Sequence, residues 1–330
     1  MPIPFFTRDA LAQAVTPERA VEAVRNAFVA HARGEWTMPP KVYVPAYPAG
    51  DFRAMPALGG GYAMVKWITS FPGNPAKGLP TVSGLVLLSD ASNGMLRAAF
   101  DAAAVTALRT GAAAVLAAET LGGAGTASVV GCGVNGVAAA RTFSARGCTP
   151  LLWDVDPARA EAAAAEVGGT VASSREEALG ADVVATVTPG REVLFAEGSL
   201  RPGQHVSLMG ADGPGKAEIA AAELARVRAF CDDWERGETE STPQGRGRLF
   251  CDDWAQASHG GELAQAVEAG LLGREDVLEL GQVLIGEAQG RLSDRDITLF
   301  DSTGLAIQDL GIALAALARA ADFDLPTIPV

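Results

Sequence analysis

The chain has 330 residues, 48% of them hydrophobic, enough to fill the cores of two domains of ordinary size, which excludes a disordered or fibrous protein. Its 39 Asp+Glu against 26 Lys+Arg give a formal charge of -13, which repels phosphate backbones and anionic membrane surfaces and argues against nucleic acid or a membrane as partner. Residues Met1 to Asp9 show no basic start followed by an apolar run, no stretch reaches ~18 apolar residues free of Gly or charge, and the few cysteines suit a reduced, cytoplasmic protein.

Apolar Ala20, Val21, Val24, Ala27 and Phe28 share one helical face and predict a helix over 17–31, with Thr16 as cap and Pro17 in the first turn. Residues 41–48, 63–70 and 82–89 are short, β-branched and aromatic, which suits antiparallel strands. An Ala-rich run over 101–121 predicts a long helix, and the glycine cluster 122–125 that follows is read as a domain boundary. From there short apolar strands alternate with helical stretches: 127–130, 150–154, 183–188 and 205–209. Such alternation predicts a parallel sheet with crossover helices, its signal ending near Arg295. A last Ala/Leu helix over 304–321 is expected to rejoin the amino-terminal domain, which gives 1–122 with 304–330 as one domain and 123–303 as the other.

Two smaller features carry no chemistry at this stage. Cys132, Cys148, Cys231 and Cys251, with His31, His205 and His259, show no metal-ligand spacing and no triad, so no metal is expected and the cysteines read as structural thiols. The segment Phe230-Cys231-Asp232-Asp233-Trp234 recurs as Phe250-Cys251-Asp252-Asp253-Trp254 and reads as a local duplication in a surface loop.

The strongest single motif is Gly131-Cys132-Gly133-Val134-Asn135-Gly136, between the apolar strand 127–130 and a helix expected over 137–146. The first glycine turns the chain, the second lets backbone approach a pyrophosphate, and the third lets helix and strand pack closely. The helix start then offers free N–H groups to the phosphates. An acid follows at the expected distance, Asp154 at the end of the second strand, where a carboxylate accepts both ribose hydroxyls of NAD and repels the 2′-phosphate of NADP. The motif predicts a Rossmann domain, a doubly wound parallel sheet, and NAD as cofactor.

Five further stretches occur in order: Met64 to Asn74, Gly78 to Thr81, Thr106 to Ala112, Gly210 to Lys216, and Asp301 to Asp309. With them the chain resembles the ornithine cyclodeaminase/mu-crystallin family along nearly its whole length. The resemblance implies an α/β protein in which a central Rossmann domain joins an α+β dimerisation and substrate domain, a homodimer, and a site in the cleft between domains. Carried over by position, Lys41, Lys66 and Arg109 would line the substrate pocket and Asp212 would face the nicotinamide. An Arg fork holds a substrate carboxylate bidentately, a nearby ammonium adds a point charge, and an Asp can exchange protons with the substrate nitrogen. Thr110, Thr186, Thr188, Met209 and Ser302-Thr303-Gly304 are cofactor neighbours by family position.

Each of these residues also has a plainer reading. Arg109 resembles a solvent-facing cation in an Ala-rich helix, and Asp212 a turn residue before Gly213-Pro214. Lys66, inside the apolar run Val65-Lys66-Trp67-Ile68, is the hardest to read as structural, because a buried lysine is costly. Ser70-Phe71-Pro72 and Phe100-Asp101-Ala102 stand where cyclodeaminases of the family carry Gly-His-Pro and Glu-Met-Thr. The resemblance therefore points to the alanine dehydrogenase and imine reductase branch, acting on a small 2-amino or 2-imino acid. A cyclodeaminase using NAD catalytically and a non-catalytic binding protein are the alternatives.

Overall fold

A computed structural model describes residues 2–211, 213, 215–235 and 247–329, and the chain contacts divide it into two units, Met1–Arg109 with Leu305–Val330, and Thr110–Gly304. In chain order the first unit opens with β1 (Ile3–Phe6), α1 (Arg8–Ala14), α2 (Pro17–Ala32), β2 (Val42–Ala46), β3 (Gly50–Gly59), β4 (Tyr62–Ser70), β5 (Val82–Asp90), β6 (Leu96–Asp101) and the start of α3 (Ala102–Leu121). The second unit holds β7 (Ala127–Val130), α4 (Val134–Ala145), β8 (Leu151–Trp153), α5 (Pro157–Val167), β9 (Thr170–Val171), α6 (Arg175–Leu179), β10 (Val183–Thr186), β11 (His205–Leu208) and α7 (Ala221–Glu235). It continues through β12 (Gly247–Cys251), α8 (Trp254–Gly260), α9 (Ala264–Glu268), β13 (Val277–Glu279), α10 (Leu280–Leu284) and β14 (Ile297–Asp301). α11 (Ala306–Leu317) and β15 (Thr327–Ile328) complete the first unit.

In the first unit the described strands form one sheet, ordered β15-β1-β6-β5-β4-β3-β2, with β2 to β6 an antiparallel meander. Thr16 caps α2, accepting the Arg19 N–H as a side-chain cap should. β3 carries Pro56 and glycines at both ends, so its sequence reads as broken. Yet Pro56 lies past the last β2–β3 pair, Val42 with Ala54, on an edge where a missing N–H costs no ladder bond. α11 packs on α2, β3 and β4, and β4 alternates accordingly: Met64, Lys66 and Ile68 are buried while Val65 and Trp67 are exposed.

The division between units runs through α3, earlier than the glycine cluster, because the second half of that helix is bound into the second unit. A Cβ on Gly111 would stand 2.6 Å from the Ala138 carbonyl of α4. Ser207 Oγ donates to the Ala114 carbonyl at 3.3 Å, and Thr298 Oγ1 and Arg291 Nε donate to the Leu121 carbonyl at 2.9 and 2.8 Å.

The second unit's described strands pair in parallel in the order β13-β12-β14-β11-β10-β7-β8-β9. The chain winds outward from β7 through β8 to β9, then crosses back to β10, so the switch point lies between β7 and β10. The parallel signal does not end at Arg295: β14 is a fully buried strand between β11 and β12. The doubled segment is not a surface loop. Its first copy lies on the backbone of α7, and its second forms the end of β12 and the Asp253 cap of α8.

Candidate functional site

Two sets of residues are assembled, one in each unit. In the first, the pleat of β4 turns Lys66 to the side covered by α11, where its side chain is 1% exposed. Lys66 Nζ donates to Asp309 Oδ1 at 2.8 Å, and Arg109 Nε lies 3.7 Å from the same oxygen. Asp309 sits in the first turn of α11, where the helix N-terminus favours a carboxylate. Two cations therefore share one anion, and the charge of Lys41 also reaches Lys66. Arg109 Nε and Asp309 Oδ2 are buried with no hydrogen-bond partner. Orphaned buried polar atoms are rare, and a cluster with surplus positive charge and an idle donor suits an anionic ligand such as a carboxylate.

Burial pulls the Lys66 ammonium down from 10.5 to about 8; the charge and hydrogen bond of Asp309 oppose it, while Arg109 and Lys41 act with it. Lys66 can therefore gain or lose a proton close to neutral pH. In the sequence Asp309 stands only as the last residue of the stretch Asp301 to Asp309. Its one local signal is an acid early in an otherwise apolar helix.

In the second unit Gly131 takes φ 98°, and a Cβ there would stand 2.7 Å from the Val187 carbonyl. A Cβ on Gly136 would stand 1.7 Å from the Gly131 carbonyl, so only glycine lets α4 pack this closely on the turn. Gly133, by contrast, faces open space. α4 begins at Val134, three residues earlier than expected, which puts Val134 and Asn135 in its first turn; Gly133 caps it without a side chain, leaving the first N–H groups to a ligand. Asp154 accepts the Cys132 N–H at 2.7 Å and the Asp156 N–H at 2.9 Å, so the acid stands directly beside the glycine turn. Asp156 is the cap of α5. Thr110 Oγ1 is buried without a partner. An open glycine, uncapped helix N–H groups and an acid at the end of the second strand fit a dinucleotide bound through its pyrophosphate and ribose.

The other expected neighbours have their polar groups committed within the protein. Thr186 and Thr188 hydroxyls donate to Glu218 at 2.6 and 2.5 Å. The Ser302 and Thr303 hydroxyls and the Gly304 N–H donate to Asp252 at 3.3, 3.1 and 2.8 Å. Asp252 thus gives the second copy of the doubled segment a role: it holds the loop that follows β14. Met209 is buried at the end of β11. Asp212 lies outside the described residues.

The family model for ornithine cyclodeaminase/mu-crystallin matches residues 7–322. The chain belongs to this family. Among curated members it is 38% identical over 316 residues to the alanine dehydrogenase of Archaeoglobus fulgidus, covering 93% of this chain and 92% of that one. A solved archaeal alanine dehydrogenase dimer with bound NAD superposes with a TM-score of 0.87 at 34% identity, over 100% of this chain and 99% of that one. The iminosuccinate reductase of Paracoccus denitrificans in complex with NAD+ superposes with a TM-score of 0.84 at 26% identity, over 100% of both chains. The match bears out the family resemblance and the α/β fold with a Rossmann-type parallel sheet expected from the sequence.

Proposed function

We propose that this family member is an NAD(H)-dependent oxidoreductase that interconverts a small 2-amino acid and its 2-imino or 2-oxo acid. The observation that carries the reading is the buried Lys66, paired with Asp309 beside an Arg109 whose Nε has no hydrogen-bond partner. NAD, when bound, accepts the hydride in oxidation and supplies it in reduction. Gly131, Gly133 and the first turn of α4 hold its pyrophosphate, and Asp154 accepts its ribose hydroxyls. Arg109 grips the substrate carboxylate, with Lys41 adding a point charge. The Lys66 ammonium donates a hydrogen bond to the carbonyl oxygen or imine nitrogen at the reacting carbon, drawing electron density from it as hydride arrives. Asp309 orients that ammonium and keeps it charged. Asp212, assigned from the sequence, exchanges the proton on the substrate nitrogen.

The same reading gives a homodimer. Val65, Trp67 and Leu85 are 38%, 45% and 41% exposed on the sheet face opposite Lys66, an apolar patch of the kind that partners cover. The archaeal relative solved as a dimer supports it. Among the described residues one helix, α3, is long and apolar enough to cross a membrane, and 72% of its apolar window is buried within the protein. With metabolic enzymes as relatives, this supports a cytoplasmic location.

The test is NADH consumption by purified protein given ammonia or methylamine with pyruvate, glyoxylate or oxaloacetate, and given cyclic imines alone. Consumption with at least one of them is expected. Conversion of ornithine to proline with the NADH pool unchanged would move the protein to the lyase branch, and silence in both assays would make it a binding protein.

A further inference from the structure

Glu218 lies in the loop before α7, and its carboxylate is fully buried, with four donors converging on it. Oε1 accepts the Thr188 hydroxyl at 2.5 Å and the Thr188 N–H at 3.0 Å; Oε2 accepts the Thr186 hydroxyl at 2.6 Å and the Gly210 N–H at 3.2 Å. An ionised carboxylate offers about four acceptor sites and no donor, so all are filled. Thr186 and Thr188 belong to the segment leaving β10, and Gly210 to the segment leaving β11. A Cβ on Gly210 would stand 2.6 Å from Glu218 Cδ, so the acid also fixes how close that segment comes.

Thr188 is also part of the cofactor crevice. A Cβ on Gly131 would stand 3.3 Å from Thr188 Cγ2 and 2.7 Å from the Val187 carbonyl, which makes this segment the wall facing the glycine turn across the switch point between β7 and β10. Ligands of doubly wound sheets bind there, beyond the carboxyl ends of the strands, with one mononucleotide on each half. Asp154 at the end of β8 takes the adenosine side, which leaves the β10 and β11 side to the nicotinamide. Glu218 is itself held from behind: Glu262 Oε2 accepts the Glu218 and Ile219 N–H groups at 2.7 and 3.3 Å. Burial, with the charges of Glu218 and Asp301, pushes the Glu262 carboxyl up to about 9; burial raises Glu218 as well, and the hydrogen bonds from its donors oppose that rise.

We propose that Glu218 is a positioning residue for the nicotinamide half of the dinucleotide, acting through Thr188 and Gly210 to set the wall of the crevice opposite the glycine turn. The inference rests on the dinucleotide reading given above. It differs from a purely structural role in being confined to one half of the ligand. Glu218→Gln keeps the shape but turns a donor NH2 toward the Thr186 hydroxyl or the Gly210 N–H, breaking the four-donor arrangement.

The experiment measures dissociation constants of NAD and of ADP, which occupies only the adenylate half, for wild type and Glu218→Gln, with kcat for hydride transfer alongside. The variant should bind NAD about tenfold more weakly, with ADP affinity changed by less than about twofold and kcat reduced. Unchanged NAD affinity, or equal losses for NAD and ADP, would overturn the proposal. A wild-type protein that binds neither nucleotide would overturn the dinucleotide reading itself, and the proposal with it. Thr188→Val, which removes one donor and keeps the volume, should show the same selective loss in smaller measure and decides the matter if Glu218→Gln does not fold.

Discussion

A lysine on a buried strand face carries a desolvation cost of several kcal/mol when ionised and unpaired, and Asp309 offsets much of it. The residue rests near the point where either protonation state is reached at ordinary pH, because burial, Arg109 and Lys41 press it down while Asp309 holds it up. If the ammonium is the form that activates the imine, kcat/KM for reduction is level below pH 8 and falls as pH rises through about 8, since the amine formed there has no proton to donate. Asp309→Asn removes the charge that raises Lys66 and leaves a weaker, neutral acceptor, so the falling limb should move to lower pH and maximal kcat/KM should drop by about tenfold or more. A pH-rate profile of the variant that overlays the wild type would remove Asp309 from the pocket. Lys66 was legible in the sequence because a cation interrupting Val65-Lys66-Trp67-Ile68 violates the apolar pattern around it. Asp309 was not, since its partner lies 243 residues away and only the packing of α11 on β4 brings them together. Glu218 and Glu262 are single acids in loops, with no local pattern to mark them.

At the level of elements, β4 has two faces with different duties. The inner one brings Lys66 under α11; the outer one leaves Val65 and Trp67 exposed beside Leu85 of β5, with Phe52 of β3 stacked on Trp67 at a centroid distance of 5.7 Å. An aspartate in that apolar patch would be desolvated by a second copy of the chain but solvated in the monomer. Trp67→Asp should therefore shift sedimentation from dimer to monomer with the fold retained by circular dichroism, and a variant that still sediments as a dimer would show that this face is not the interface. The strands of this sheet that alternate cleanly were readable, whereas β3 was missed because Pro56 counts as a breaker unless its edge position is known. β14 was missed for a different reason: it follows the polar run Ser293-Asp294-Arg295-Asp296 and is buried on both faces, so it shows no alternation.

Over the whole molecule, the glycine turn, the acid after the second strand and the alternation of strands and helices were enough to identify a doubly wound unit, because each is a local requirement of that architecture. The placement of unit boundaries was not, since α3 is one uninterrupted helix whose second half is claimed by contacts from Ala138, Ser207, Thr298 and Arg291. In the doubled Phe-Cys-Asp-Asp-Trp segment, the same five residues run from the end of a buried strand to the start of a helix in one copy and lie along a helix in the other, so tertiary context overrides local sequence. In the proposed function Lys66 serves chemistry on a substrate while a separate set of residues holds NAD. The most direct measurement is therefore NADH consumption by Lys66→Ala beside wild type, with the NAD dissociation constant of each. That division of labour predicts turnover reduced by about 10²-fold or more with NAD affinity changed less than about twofold. Near-normal turnover, or NAD binding lost together with activity, would contradict it.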